Sequence, residues 1–295
     1  MTNLISINNE TCKRCGLCGE VCPNLIMEVD RETGVTLRAD RLELCFQCGH
    51  CMAICPSQAI QVAGLSYETD FIDLPKGKAA DLPFVEMVKS RRAIRAYNDQ
   101  PVEKEVLEKI VEAITFAPPS ITPVKIELTV VQDAETMRKA LPEMINSFDR
   151  FVKAMNNPVG RLFIRFASGA DEFRVIEHHV IPMMRSHMPE LKQGLKDTIM
   201  RNAPAMIIFH AHRKADNYET DVDIAMTYGL LAAHSLGLGC SPIDLVPNAI
   251  DRNQTLRELF MIPDENIPIA ALILGYPKYR YRRGIKREFK SVNWI

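Results

Sequence analysis

Eight of the nine cysteines fall in two copies of one spacing. Cys12, Cys15, Cys18 and Cys22 form C-x2-C-x2-C-x3-C ahead of Pro23. Cys45, Cys48, Cys51 and Cys55 repeat it 33 residues later, ahead of Pro56. Three thiols two residues apart can wrap one side of a multi-iron cluster, and the remaining ligand must then arrive from elsewhere in the chain. Two competing uses of the thiols fit less well. Structural zinc takes two C-x2-C pairs and has no need of a third cysteine two residues further on. A disulfide framework is out of place because the rest of the chain is poor in cysteine, and the opening MTNLISINNE lacks the basic and apolar stretches of an export signal. The chemistry to expect is transfer of single electrons through iron–sulfur clusters.

The doubled run resembles the two-cluster bacterial ferredoxins, in which the fourth cysteine of each run reaches across to the other cube. The resemblance implies one [4Fe–4S] cluster on Cys12, Cys15, Cys18 and Cys55, and a second on Cys45, Cys48, Cys51 and Cys22. Gly16, Gly19 and Gly49 would let backbone pass close to inorganic sulfur. The ninth cysteine, Cys240, sits in a small-residue loop, Gly237-Leu238-Gly239-Cys240-Ser241, and reads as a buried free thiol.

The elements that must position these residues divide the chain in two. A length of 295 residues allows two domains, and 47% hydrophobic with 25% charged residues is ordinary for a globular protein. A net charge of −1 gives no reason to expect nucleic-acid or membrane binding, and no apolar run approaches the length of a membrane span. A cytoplasmic protein, of an often anaerobic cell, is expected. Residues 1–66 form the ferredoxin module, with strands over Leu4–Ile7, Leu25–Val29 and Ile60–Val62; so small a unit needs the clusters as its core. Residues 67–83, rich in Pro, Gly, Lys and Asp, read as a linker.

Residues 84–295 form the second domain. Phe84, Val85, Met87 and Val88 suggest a short helix. Val102, Val106, Ile110, Val111 and Ile114 make one apolar stripe of another. Strands are expected at Ile126–Val131, Ala205–His212 and Ile267–Leu274, and a helix at Val222–Leu236. Residues 135–201 are polar, Met-rich and helical, an insertion suited to act as a lid. Its His178, His179 and His187 read as surface side chains, with proton donation to a substrate as the alternative. His210 and His212 alternate on a strand without an evident third metal ligand.

Within that domain Ser90-Arg91-Arg92-Ala93-Ile94-Arg95-Ala96-Tyr97, Ala117-Pro118-Pro119-Ser120, His234-Ser235-Leu236-Gly237-Leu238-Gly239, Pro242-Ile243-Asp244 and Leu274-Gly275-Tyr276-Pro277 follow one another. In this order they resemble the nitroreductase family of FMN enzymes, and the whole chain resembles a ferredoxin–nitroreductase fusion. The resemblance implies an α+β fold: a small ferredoxin-like domain, then an α/β sandwich with a central sheet flanked by helices. It also implies FMN, with Arg91 and Arg92 at the phosphate and Arg95 nearer the ring. Guanidinium forks suit that role, being planar, bidentate and always charged. Arg282 or Arg283 would add a late cation to the phosphate. Pro242, Ile243, Asp244 and Leu245 match the loop whose backbone N–H faces flavin N5. Two departures stand out. Ala93 replaces the family's serine, and Ile121-Thr122-Pro123-Val124-Lys125 lacks its asparagine and glutamine, so Pro119, Ser120, Thr122 and Lys125 are left near the flavin pyrimidine.

The parts suggest an internal wire. An external one-electron donor such as a ferredoxin loads the clusters, the clusters load FMN, and FMN reduces a nitroaromatic, quinone or activated alkene. No G-x-G-x-x-G fingerprint is present, and NAD(P)H stays open as donor because the family binds nicotinamide without one. The family also implies a homodimer, with the run Tyr279–Ile295 reaching the partner through Phe289, Val292 and Trp294. An electron relay or redox sensor acting on a protein partner is the alternative function; flavin fragmentation or reductive dehalogenation on the same fold is a third.

Overall fold

A computed structural model describes residues 4–22, 24, 26–30, 34–45, 47–71, 84–120, 125–195, 197–278 and 289–295. The chain divides into two compact units, Met1–Leu82 with Pro119–Val124, and Pro83–Pro118 with Lys125–Ile295.

The first unit uses one backbone path twice. β1 (Ile5–Ile7) pairs antiparallel with β4 (Ile60–Val62), and β2 (Met27–Asp30) pairs antiparallel with β3 (Gly34–Leu37). α1 (Leu17–Val21) and α2 (His50–Ile54) carry the third cysteine of each run. The 33-residue offset extends to single dihedral angles. Arg14 and Gln47 both take φ 53°, and Gly16 and Gly49 start the two helices from the left-handed region at φ 82° and 74°. Cys22 and Cys55 end them in extended conformation at ψ 112° and 113°. Left-handed backbone is rare outside glycine. Its recurrence at matching positions, under different residues, shows that the cysteine spacing dictates the path. The core is small: Ile5, Ile26, Met27, Val35, Met52, Ile60 and Val62, with Cys18 and Cys51. Leu65 packs against it, as do Tyr67 and Phe71 from the segment expected to begin the linker; Pro23 and residues 72–83 lie outside the described residues.

The second unit is a sheet covered on both faces. β5 (Ile126–Val131), β6 (Ala205–His212), β8 (Asn266–Gly275) and β7 (Gly239–Pro242) lie side by side in that order, every pair antiparallel. Alternation along the central strands separates two cores. From β6 and β8, Ala205, Ile207, Phe209, Leu272 and Leu274 face one side, and Met206, Ile208, Ala271 and Ile273 face the other. Burial on both faces explains why β6 reads as a nearly continuous apolar run. The first face is covered by α4 (Lys104–Thr115), through Leu107, Ile110 and Ile114, and by α8 (Tyr218–Ser235), through Val222, Ala225 and Ala233. The second is covered by α5 (Ala134–Asn156), whose Met137, Ala140, Met144, Phe148, Val152 and Met155 recur at helical spacing. α7 (Ile181–Lys192), α9 (Leu245–Asp251) and α10 (Gln254–Leu259) complete that layer. Asp133 caps α5, accepting from the N–H groups of Glu135 and Thr136 at 2.9 Å each.

Between α5 and α7 runs α6 (Pro158–Val175), broken at Gly169 (φ 78°, ψ 169°) and followed by a π turn over Ile176–Val180. These elements account for the helical stretch expected over 135–201, in which His178 and His179 are exposed and His187 half-buried. A short helix α3 (Phe84–Ser90) leads into the unit. Among the described residues no helix is long and apolar enough to cross a membrane.

Candidate functional site

In the first unit two hollows open beside the cysteine runs. One is lined by Cys45, Cys48 and Cys51 together with Cys22 from the other run, against Ile5, Ile26, Met27 and Val62. The other is lined by Cys12, Cys15 and Cys18 together with Cys55, against Val35 and Ile60. Chain direction explains the crossing. Each helix turns its third cysteine inward, and the extended residue that ends it carries the fourth cysteine over to the opposite run. Backbone N–H groups already point at these sulfurs: Arg14 at Cys12 (3.4 Å), Ile26 at Cys22 (3.4 Å) and Ala59 at Cys55 (3.3 Å). The last two are again 33 residues apart. Such donors favour the thiolate that a cluster ligand must become. Burial pushes the Cys18 and Cys45 thiols up and the Cys51 thiol to about 11. Cys55 moves down, because N–H and Ser57 hydrogen bonds outweigh the effect of its burial. Among the described residues no three His, Cys, Asp or Glu side chains share a single-ion site; a cube instead spreads its ligands over four irons. The four-thiol hollows therefore fit [4Fe–4S] cubes.

In the second unit the segment after α3 is threaded between two strands. Ala93 bridges Cys240 of β7 in parallel, with the Ile94 N–H donating to the Cys240 carbonyl at 3.0 Å. Tyr97 bridges Pro277 antiparallel just past β8, flanked by the Asn98 N–H on the Tyr276 carbonyl and the Lys278 N–H on the Ala96 carbonyl, each at 3.0 Å. The Tyr97 hydroxyl donates to the Ile94 carbonyl at 2.7 Å and so ties the strip to itself. Two glycines make room. A Cβ on Gly239 would lie 2.6 Å from Ile94, and one on Gly275 would lie 2.5 Å from Pro204 and 2.8 Å from Tyr97.

The strip thus brings Arg91, Arg92, Ala93 and Arg95 beside Pro242 at the end of β7 and beside Gly275-Tyr276-Pro277 at the end of β8. Three of the motifs separated in sequence are joined here. Arg91, Arg92 and Ala93 are half-buried and Arg95 is exposed. Their charge is felt by neighbours: His234, at the end of α8, is held below the usual histidine range by burial and then by Arg91 and Arg92. Its Nε2 lies 2.8 Å from Ser90 Oγ. Burial pushes the Cys240 thiol to about 12, with Arg91 pulling it back. Cys240 is buried as expected, but in a strand rather than a loop.

In the loop Pro242-Ile243-Asp244-Leu245 the proline has no N–H, and the Ile243 N–H is engaged by the Ala271 carbonyl at 2.9 Å. Asp244 is the N-cap of α9, which Leu245 begins. Pro119 and Ser120 fall in the short stretch grouped with the first unit, so the second unit by itself does not gather them with the arginines. Lys125 is exposed at the start of β5. Thr122, Arg282 and Arg283 lie outside the described residues.

One group escaped the sequence reading. Arg201, at φ 62° after a turn organised by Asp197, acts electrostatically on Tyr97 and has a buried Nε with no hydrogen-bond partner. No spacing signal marks it. His210, considered as a metal ligand, is instead buried in a polar network: its Nδ1 lies 2.9 Å from Asn266 Nδ2, which also donates to Glu127, and its Nε2 lies 3.3 Å from Thr129 Oγ1. His212 points elsewhere, its Nδ1 accepting from the Lys214 N–H. The two histidines do not form a site.

A family model described as "Nitroreductase family" matches residues 88–276, and one described as "4Fe-4S dicluster domain" matches residues 11–60. The chain is 28% identical over 211 residues to a Bacillus subtilis (strain 168) FMN reductase (NAD(P)H), covering 70% of this chain and 72% of that protein. It is 27% identical over 205 residues to a "Putative NADH dehydrogenase/NAD(P)H nitroreductase" of Methanothermobacter thermautotrophicus, covering 68% and 81%. Among solved structures, a Bacteroides fragilis nitroreductase with bound FMN superposes with a TM-score of 0.53 at 18% identity, covering 72% of this chain and 98% of that one. A Desulfitobacterium hafniense nitroreductase with bound FMN gives 0.53 at 16%, covering 72% and 97%.

Proposed function

The chain belongs to the nitroreductase family, with a 4Fe-4S dicluster domain ahead of the family region, and on that premise we propose that it is an FMN-dependent oxidoreductase fed through two [4Fe–4S] clusters and acting on a small organic acceptor such as a nitroaromatic, quinone or activated alkene. When bound, the cubes supply one-electron transfer and FMN supplies two-electron hydride chemistry. The crossing of the two cysteine runs carries this reading. Cys12, Cys15, Cys18 and Cys55 converge on one hollow, and Cys45, Cys48, Cys51 and Cys22 on the other, which is the ligand partition two cubes require.

In the second unit Arg91 and Arg92 would hold the FMN phosphate with fixed charges, and Arg95 would set a cation nearer the ring. Gly239 lets the strip approach β7 closely enough to keep those guanidiniums in register with Pro242. A backbone N–H of the loop Pro242-Ile243-Asp244-Leu245 would face flavin N5, with Ile243 excluded because its N–H is engaged by Ala271. Cys240, buried and neutral beneath Arg91, packs rather than reacts.

The chain works as a homodimer. Val159, Leu162, Phe163 and Phe166 form a continuous apolar stripe on α6, all exposed, with Phe166 90% exposed. Phe289, Val292 and Trp294 are exposed as well. Apolar surface of that extent on one helix marks a protein interface.

An anaerobic titration tests the whole. Iron and flavin are quantified, and the protein is mixed separately with reduced ferredoxin and with NADH or NADPH before a nitroarene or quinone is added. Ferredoxin is expected to bleach both chromophores and the acceptor to restore them. Reduction of flavin by NAD(P)H with the iron–sulfur absorbance unchanged would overturn the proposed direction of flow.

A further inference from the structure

Just past β4 the chain makes a turn organised by one carboxylate. Asp70 Oδ2 accepts from the Ser66 N–H at 2.7 Å and from Thr69 Oγ1 at 2.9 Å, while the Asp70 N–H donates to the Ser66 carbonyl at 2.9 Å. This turn presents two aromatic rings to the cluster-binding core. Tyr67 and Phe71 pack against each other with centroids 5.3 Å apart, and both lie on the core that contains the cysteines. Phe71 also covers Gly49, where an added Cβ would lie 3.3 Å from its ring.

The Tyr67 ring is half-buried, yet its hydroxyl is shut off from water and has no hydrogen-bond partner in the protein. Buried phenols usually find an acceptor. Cys51 is part of the same core, and Cys55 packs against that core as Tyr67 does. Cys55 belongs to the hollow of the first run and Cys51 to that of the second.

We infer that Tyr67 is a positioning residue for the clusters: its hydroxyl donates a hydrogen bond to sulfur of the cube held by Cys12, Cys15, Cys18 and Cys55, and so raises that cube's reduction potential above its neighbour's. The inference rests on the reading that the two hollows hold [4Fe–4S] cubes. A donor to cluster sulfur stabilises the more negative, reduced state. The Tyr67 hydroxyl is held without a competing protein acceptor, and the Tyr67–Phe71 pair keeps water from taking the role. No bond is made or broken; the step is a bias on one-electron transfer between two sites whose cysteine runs share matching dihedral angles.

The test is Tyr67→Phe in the anaerobically prepared full chain, which removes the hydroxyl and keeps the ring. Both midpoint potentials are read by an EPR-monitored redox titration. One potential should fall by about tenfold in the reduction equilibrium, roughly 59 mV for a one-electron couple, and the other should stay. Iron and sulfide contents should equal those of the unmodified chain. Equal contents with both potentials unmoved would overturn the inference while leaving the clusters in place. An unmodified chain that binds no cubes would overturn the cluster reading and this inference together. If Tyr67→Phe assembles poorly, proton ENDOR on the unmodified reduced protein in H2O and D2O decides instead. An exchangeable coupling beyond those of the backbone N–H donors is expected, and its absence refutes the bond.

Discussion

Gly239→Ala tests how the arginine strip is seated. The added Cβ would lie 2.6 Å from Ile94 Cβ, Cγ1 and Cγ2. Carbon atoms in contact rest at roughly 3.5–4.0 Å, so the strip must retreat by about 0.9 Å to reach even the nearer limit. Ile94 cannot rotate away, because its own Cβ is one of the three clashing atoms. Overpacking of this kind costs about 1–3 kcal/mol. The Ile94 N–H bond to Cys240, 3.0 Å long, adds about 1 kcal/mol if the retreat breaks it. The expected loss is about 2–4 kcal/mol, or about 4–16 °C in melting temperature for a unit of this size. Arg91 and Arg92 move with the strip, so flavin retention should fall too. Denaturant melts followed by circular dichroism give the first quantity, and flavin fluorescence titration gives the second. A double-mutant cycle with Ile94→Gly should return a coupling of at least about 1 kcal/mol, since the two changes meet at one contact. Unchanged stability and flavin affinity in Gly239→Ala would show that this contact does not seat the strip.

Arg91→Ala should release FMN during gel filtration, and the His234 pKa should rise toward its ordinary value in an NMR titration, because Arg91 is one of the charges holding it down. Arg257 is buried and donates to the Pro263 and Asn266 carbonyls and to Asp251. Arg257→Ala should therefore cost about 3–5 kcal/mol in urea unfolding, leaving Asp251 short of one partner. Burial pushes the Asp251 carboxyl up, but hydrogen bonds from Arg213 and Arg257 outweigh it and hold it below the usual range. A carboxyl lowered by folding adds stability above its unfolded pKa of about 3.9 and loses it as pH falls through the folded value. The acid-side loss should shrink in Arg257→Ala, as melts from pH 6 to pH 2 would show. Phe166→Asp should shift the chain toward monomer in light scattering with its helical content kept. Cys55→Ser should lower iron content to about half and disturb the hollow of the first run, even though Cys55 belongs to the second.

The cysteine spacing was legible because cluster geometry acts on sequence-local triplets, whereas the crossing of the fourth cysteines was an expectation from the ferredoxin resemblance and not from the spacing. β6 was legible end to end, since burial on both faces leaves a nearly unbroken apolar run, and β5 was legible as well although Glu127 and Val130 are exposed. β7 was not: Gly239, Cys240, Ser241 and Pro242 have little intrinsic strand tendency, and pairing with β8 imposes the conformation. The strip at residues 93–97 was recognisable as a motif but not as a strand, because its partners lie about 145 and 180 residues away. The alternation of His210 and His212 was visible and was not taken for a metal site, but the buried polar network that His210 enters with Asn266 and Thr129 could not be read from periodicity. Arg201 left no trace, since its position depends on a turn set by Asp197.

The crossed cysteines make the first unit a pair of mutual hostages. Each half lends one thiol to the other, so neither run is a self-sufficient module, and the unit cannot be halved by truncation or repaired one half at a time. Oxidation of the exposed Cys15 or Cys48 would open one cube and, by freeing the lent thiol, slacken the loop that grips the other. Damage at either run would then bear on both cubes, with the one it opens lost first and the grip on the other loosened.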